Sequence, residues 1–260
     1  MSAAILIACC LPNIGFVQFY EQPEKNDENV ASDRYQVGRN YLLKVVEARG
    51  GKENFEKLNA LKSVVFITAI GPRGQKSATY ENLEVLPDKN YRKTKWNGGE
   101  QTVVFNGSVG WSFMNGQVSK MSNEDIESNR ALIWENSNLI LADPFSENFS
   151  VEYKGENDFD GKRMHKLEFV TAMNGHFSWL IDTDTYLPIV RIEFADKSDD
   201  HIDEVITMGD YQEYDGILIA TRAIRKKGGM EFRMKLQNMI INPDYDTSIF
   251  IPPSELDFGN

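Results

Sequence analysis

The side chains in this chain that could do chemistry are few and scattered. Its 260 residues hold three histidines and two cysteines. His165, His176 and His201 show no His-Glu-x-x-His spacing, nor any other i,i+4 pair that would set two imidazoles on one helix face around zinc. His165 and His176 fall beside turns within predicted strands, and read as surface or half-buried positions rather than ligands. Cys9 and Cys10 are adjacent, and nothing downstream adds a thiolate that would make a metal site. Gly107-Ser108-Val109-Gly110 lacks the Gly-x-Ser-x-Gly spacing and the strand-to-helix turn that exposes a nucleophilic serine, so it reads as a hairpin turn. No phosphate-binding glycine loop is present. Asp199-Asp200-His201-Ile202-Asp203-Glu204 brings oxygen ligands close together, as a hard cation requires. It has no glycine at the sharp-turn position and no closing glutamate at loop spacing, and reads as a solvated loop entering a strand. Arg222, Arg225, Lys226 and Lys227 stand beside the Gly228-Gly229 turn, where they could meet phosphate headgroups or an acidic partner, or simply solvate the turn. These observations give no catalytic set, no metal set and no cofactor loop. We therefore expect a protein that is not an enzyme and carries no cofactor.

Charge narrows the class further. A net charge of −11 leaves no dominant basic face for tracking phosphates, which excludes nucleic acid as a partner. It also argues against broad electrostatic adsorption of the whole chain to anionic lipid, and leaves apolar ligands open. Residues 3–19 are apolar, and the chain turns polar from Glu21 to Asn29. That shift reads as an export segment over 1–20, followed by a polar linker over 21–33 and one domain over 34–260. The apolar run is shorter than the roughly 20 residues a membrane span requires. Leu6-Ile7-Ala8-Cys9 has the form of a bacterial lipobox, in which the cysteine thiol takes a diacylglyceryl thioether. Cys9 is thus the candidate lipidation site, with an ordinary cleaved signal as the alternative. Export implies a periplasmic or outer-membrane-associated location, with membrane contact only through such an N-terminal anchor.

The elements that must position any site follow from periodicity. Tyr41, Leu42, Val45 and Val46 recur at helical spacing over 34–48, and Gly50-Gly51 supplies a left-handed stop. Phe55, Leu58 and Leu61 mark a second short helix, after which Ser63–Gly71 becomes a β-branched strand. Asn97-Gly98, Asn106-Gly107 and Asn115-Gly116 fall nine residues apart, and Asn-Gly suits tight hairpins because both central residues want positive φ. Asp160-Gly161, Asn174-Gly175 and Asp215-Gly216 repeat the signal. Strands are predicted near 149–155, 163–172, 176–182, 187–195, 203–213, 217–226 and 229–241. Between the two groups, residues 122–142 read as a helical excursion capped by Ser122 with Asp125 and ended by Pro144.

Large apolar residues alternate along several strands: Phe66, Trp111, Phe113, Trp179, Met230, Phe232 and Met234. Alternation gives one apolar and one wet face. The apolar face is either filled by the helices or left partly hollow. A hollow face would hold acyl chains, and these seven residues are then the candidate lipid-binding set, with the methionines adapting to variable chains.

The order of elements resembles the outer-membrane lipoprotein-sorting proteins, the LolA/LolB-like superfamily. The likeness rests on helix, Gly-Gly, short helix and Leu58-Asn-Ala-Leu-Lys-Ser63, then strand. It continues in Leu180-Ile-Asp-Thr-Asp-Thr-Tyr-Leu-Pro-Ile-Val-Arg-Ile-Glu193, in Tyr211-Gln-Glu-Tyr-Asp-Gly-Ile217, and in the closing Ile241-Asn-Pro-Asp-Tyr-Asp-Thr-Ser-Ile-Phe-Ile-Pro-Pro253. It covers roughly residues 35–255. The resemblance implies a mainly β (α+β) fold: an unclosed antiparallel half-barrel with helices packed on the concave face. It implies binding of lipid or lipoprotein acyl chains there, without covalent chemistry, and a role in lipoprotein or lipid transport. The competing readings are a non-carrier accessory lipoprotein that holds an envelope protein partner on the same fold, and a hydrolase whose acidic or histidine residues converge only in three dimensions.

Overall fold

The computed structural model describes residues 28–196 and 199–256. The export segment, the lipidation candidate Cys9 and the first part of the linker lie outside them. Thirteen strands form one antiparallel sheet that does not close. The first six run outward as a meander: β1 (Ala60–Gly71), β2 (Gly74–Val85), β3 (Lys89–Trp96), β4 (Gly99–Phe105), β5 (Gly110–Met114) and β6 (Gln117–Lys120). Two helices, α3 (Asn123–Trp134) and α4 (Ser137–Ala142), then carry the chain across to the far edge. From there β7 (Phe149–Phe159), β8 (Lys162–Thr171), β9 (His176–Asp182), β10 (Pro188–Asp196), β11 (Asp199–Tyr214), β12 (Ile217–Lys227) and β13 (Met230–Ile241) return strand by strand. The last strand pairs with the first, so β6 and β7 are the two free edges.

The hairpin chemistry largely sets this meander. Asn115-Gly116, Asp160-Gly161 and Asp215-Gly216 have both central residues at positive φ, as a tight primed turn requires. At Asn97-Gly98 and Asn106-Gly107 only the glycine does. The Asn106 Oδ1 instead accepts from the backbone N–H of Ser108 and Val109, closing the β4–β5 turn and fixing Ser108 as a turn residue. The acidic turn after β9 is similarly built. Asp182 Oδ1 accepts from the N–H of Asp184 and Thr185 and from the Thr185 hydroxyl, while Lys162 binds Oδ2. Burial pushes this carboxyl up, but the Lys162 and Thr185 hydrogen bonds outweigh it and hold Asp182 well below the usual carboxylate range.

Helix α1 covers Glu28–Arg49 and so takes in the last residues of the stretch read as linker. It lies along β7, and Gly38 is what lets it close: a Cβ there would stand 2.5 Å from the carbonyl oxygen of Val151. Arg39 clamps the same seam by donating to the carbonyls of Pro144, Ser146 and Phe149, with its guanidinium 4.4 Å from the Phe149 ring centre. At the helix end Gly50 has φ +131°, and α2 (Lys52–Glu56) begins two residues later. Buried Arg49 donates to the carbonyl of Leu218, tying this corner to β12.

The excursion expected as one helix over 122–142 is two. Ser122 caps α3, accepting from Asp125 N at 3.0 Å and donating to its carboxylate at 2.7 Å. The break falls at Glu135 and Asn136, because the Asn136 side chain accepts from Asn138 N and so caps a new helix. The two pieces differ in packing. Helix α4 buries Ile140 and Leu141, whereas α3 buries no residue and leaves Leu132 exposed.

The main core lies between the helices and one face of the sheet. It joins Leu42, Val45 and Val46 of α1, Phe55, and Ile140 and Leu141 of α4 to Leu167, Phe169, Phe177, Trp179 and Ile181 of β8 and β9. Two smaller clusters sit on the opposite face. One gathers Leu83, Val104 and Trp111 beneath Phe250, from the 3-10 turn Thr247–Phe250 that folds back over β3 and β4. The other gathers Met164, Leu180, Val190 and Ile192.

Candidate functional site

Register assigns every strand residue to the helix-bearing inner face or to the outer face. Along β13 the inner residues are Met230, Phe232, Met234 and Leu236; they stand opposite Lys227, Arg225 and Ala223 of β12, and Ala69, Ile67 and Val65 of β1. A bulge between Val64 and Val65 shifts the pairing, so that Met239 and Ile241 also face inward, where they join the main core. The inner row thus has two parts. One end is packed beneath α1, α2 and α4. At the other end Val65, Met230, Phe232, Met234 and Leu236 are only half-buried, and among the described residues none belongs to a buried cluster. Met230 lies across Gly71, where a Cβ would come 2.3 Å from its sulfur. Ala78 and Tyr80 of β2 extend this apolar strip sideways.

The seven residues singled out by alternation divide among three places. Met230, Phe232 and Met234 line the open inner strip. Trp179 is on the same face but fully packed, with its ring 4.6 Å from that of Phe169. Phe66, Trp111 and Phe113 face outward: Trp111 is sealed beneath Phe250, while Phe66 and Phe113 are exposed. The strip residues that alternation did not single out are Val65 and Leu236, with Ile67 buried beside them. Their signal was available, since each lies two residues along a strand from a neighbour on the same face. A separate open cavity of about 530 Å³ lies on the outer face at the β3–β5 hairpin tips, lined by Lys95, Thr102 and Phe113.

The joint between α3 and α4 ties together two distant strands. Glu135 meets Arg191 of β10 through its carboxylate and its backbone carbonyl, at 2.8 and 2.9 Å. The adjacent Asn136 donates to Glu84 of β2. Four strands, β1, β13, β12 and β11, lie between β2 and β10 in the sheet. Two consecutive residues can reach both only because the sheet curves strongly, so the joint forms a strap across the concavity.

Burial raises the Glu84 carboxyl, with the Asn136 and Asn138 amides opposing that only in part; burial likewise raises Glu135 against the pull of Arg191. An acid whose folded pKa is raised contributes stability below its unfolded value near 4.3, and loses it as pH climbs through the folded value. Glu84→Gln is therefore expected to keep the amide contact and to flatten the decline in thermal stability above that pH. A melting-temperature series from pH 4 to 8 checks this, and an unchanged slope would show that Glu84 is ionised throughout.

The remaining candidates for chemistry are structural. Glu204 is buried against Arg225, Lys227 binds Asp203, and the side chains of Asp199 and Asp200 lie outside the described set. His165 is buried, with Nδ1 3.1 Å from the Tyr153 hydroxyl, and burial lowers its pKa. Among the described residues, no group of three or more His, Cys, Asp or Glu is placed to hold a metal ion, and no helix is long and apolar enough to cross a membrane.

An unclosed antiparallel half-barrel with helices on its concave face is the LolA-like fold, and solved structures bear this out. The chain matches a LolA superfamily protein from Nitrosomonas europaea with a TM-score of 0.58 and 15% identity, over 83% of this chain and 97% of that one. A DUF1329 family protein from Desulfovibrio piger matches with a TM-score of 0.58 and 13% identity, over 84% and 97%. A domain from Vibrio parahaemolyticus assigned to outer-membrane lipoprotein sorting matches at 0.56 and 12%, over 84% and 97%. No family model and no curated protein matches the sequence.

Proposed function

We propose that this protein binds an acyl chain of a lipid or lipoprotein on the open half of its concave face, and serves lipid or lipoprotein transport in the bacterial envelope. The observation that carries this reading is the half-buried row of Val65, Met230, Phe232, Met234 and Leu236 on a face whose other half is filled. Each methylene removed from water there contributes about 0.8 kcal/mol, so ten in contact supply roughly 8 kcal/mol before binding costs. Helix α4 packs Ile140 and Leu141 into the filled half, whereas α3 buries no residue. No catalytic step is needed. The strip presents no nucleophile, and the nearest ionised pair, Arg225 with Glu204, stands 2.6 Å apart. An N-terminal lipid anchor at Cys9 would hold the domain at the membrane, in a periplasmic or outer-membrane-associated location.

The alternative, an accessory lipoprotein that holds a protein partner, draws support from the exposed Phe113 and Met114 beside the outer cavity. Native mass spectrometry of protein purified without detergent, with lipid extraction alongside, separates the two. Acyl binding predicts a co-purifying lipid mass or uptake on incubation with lipids and acylated peptides. An apo mass that stays unchanged under both conditions would sink it and direct attention to the outer cavity.

A further inference from the structure

We propose that the outer face of the central strands is a docking surface for the anionic headgroups of a lipid bilayer. The chain as a whole is strongly acidic, yet its charge is segregated. On β12 and β13 the outward residues include Arg222, Lys226, Arg233 and Lys235. Lys62 on β1 and Lys93 and Lys95 on β3 continue the same face. Across these five strands, β12, β13, β1, β2 and β3, the outward carboxylates are Glu231 and Glu81, and each already meets a cation, Arg233 at 2.7 Å and Lys95 at 2.5 Å; Glu100 of the adjacent β4 takes up Lys93 at 2.9 Å, which leaves Lys62, Lys226 and Lys235 as the surplus.

Register leaves one like-charge pair on this face. One cross-strand row reads Arg222, Lys235, Phe66, Thr79 and Lys95. Arg222 stands directly opposite Lys235, and like charges in that position are destabilising. Asp210 relieves Arg222 at 2.8 Å, but Lys235 adds its charge to a neighbourhood that Arg233 and Lys226 already make positive. The positive potential is also felt by Glu81, whose carboxyl is held down chiefly by its Lys95 hydrogen bond, with Lys93 and Lys62 contributing.

The shape and the apolar content favour a bilayer over an acidic peptide. The cations are spread across the sheet from β12 to β3, so no single extended peptide could meet them all. Phe66 and Ile224 stand exposed among them, 37% and 39% accessible, and suit the boundary between headgroups and acyl chains. Such a surface attracts an anionic leaflet within about one Debye length, roughly 8–10 Å at ordinary salt. It would present the outer face to the membrane while the concave strip faces away. This docking goes beyond acyl binding and does not rest on it.

The test is co-sedimentation of the full chain with phosphatidylcholine vesicles, with and without phosphatidylglycerol, at two salt concentrations. Binding is expected to be stronger to the anionic vesicles and to weaken with salt. The triple variant Lys226→Glu, Arg233→Glu, Lys235→Glu should lose about ten-fold or more of that preference. A control with an equal number of reversals at exposed positions of α1, α2 and the residue after α2, Lys44→Glu, Lys52→Glu and Lys57→Glu, should retain it. Equal binding to both vesicle types, an unaffected triple variant, or an equal loss in the control would overturn the proposal. Circular dichroism of each variant guards against misfolding. Native mass spectrometry of the triple variant reads acyl uptake separately, so failure of docking and failure of acyl binding are told apart.

Discussion

A Met234→Arg variant is expected to lose acyl-chain uptake by about 100-fold or more while keeping its fold. Met234 lies at the middle of the open strip, opposite Ala223 on one side and Ile67 on the other. It is half-buried in the empty protein, so a longer side chain can lift its charge to water and the apo fold survives. A bound acyl chain would remove that water. Keeping an unpaired guanidinium in apolar contact costs several kcal/mol, and each 1.4 kcal/mol is a factor of ten in affinity. Displacement of a fluorescent fatty acid measures the loss. Phe66→Arg makes the comparison sharp, because Phe66 is on the neighbouring strand but points outward. It should leave uptake unchanged. If the two variants behave alike, the strip is not the binding surface.

Trp179→Ala is expected to have the largest effect on stability. Its ring is 2% exposed and packs 4.6 Å from Phe169 and 6.1 Å from Phe177, at the centre of the main core. Removing a buried indole loses its transfer free energy and leaves a cavity, together about 3–5 kcal/mol. For a domain of this size each kcal/mol shifts the melting temperature by roughly 2–4 °C, so a fall of about 10 °C is expected. Calorimetry reads this directly. A shift of only a degree or two would mean that the space beneath α1 and α4 is hollow rather than filled, and that the binding cavity extends into it.

The fold was legible in this sequence because turn chemistry and alternation speak locally. The Asn-Gly and Asp-Gly pairs mark hairpins, and the Asp182 turn is built from hydrogen bonds between residues two and three apart. The helix break at Asn136 was not legible. Apolar spacing continues through it, and Asn136 ends α3 only because its side chain can cap α4 while also reaching Glu84 on a strand 52 residues earlier. The candidate site was half legible for a related reason. Alternation says that Phe66 and Met234 each face one side, but not that they face opposite sides. That depends on cross-strand register, which sets Ile67, not Phe66, against Met234. Trp111 and Trp179 look equivalent in the sequence. They differ because the chain's end folds Phe250 over one face while α1 and α4 cover the other.

The central claim, that the inner strip is where an apolar chain binds, is tested most directly by photo-crosslinking with a diazirine-bearing fatty acid, followed by peptide mapping. Adducts are expected at Val65, Met230, Phe232 and Met234, lost in the Met234→Arg variant and competed by unlabelled fatty acid. Adducts confined to the outer face around Phe66 and Phe113 would contradict it.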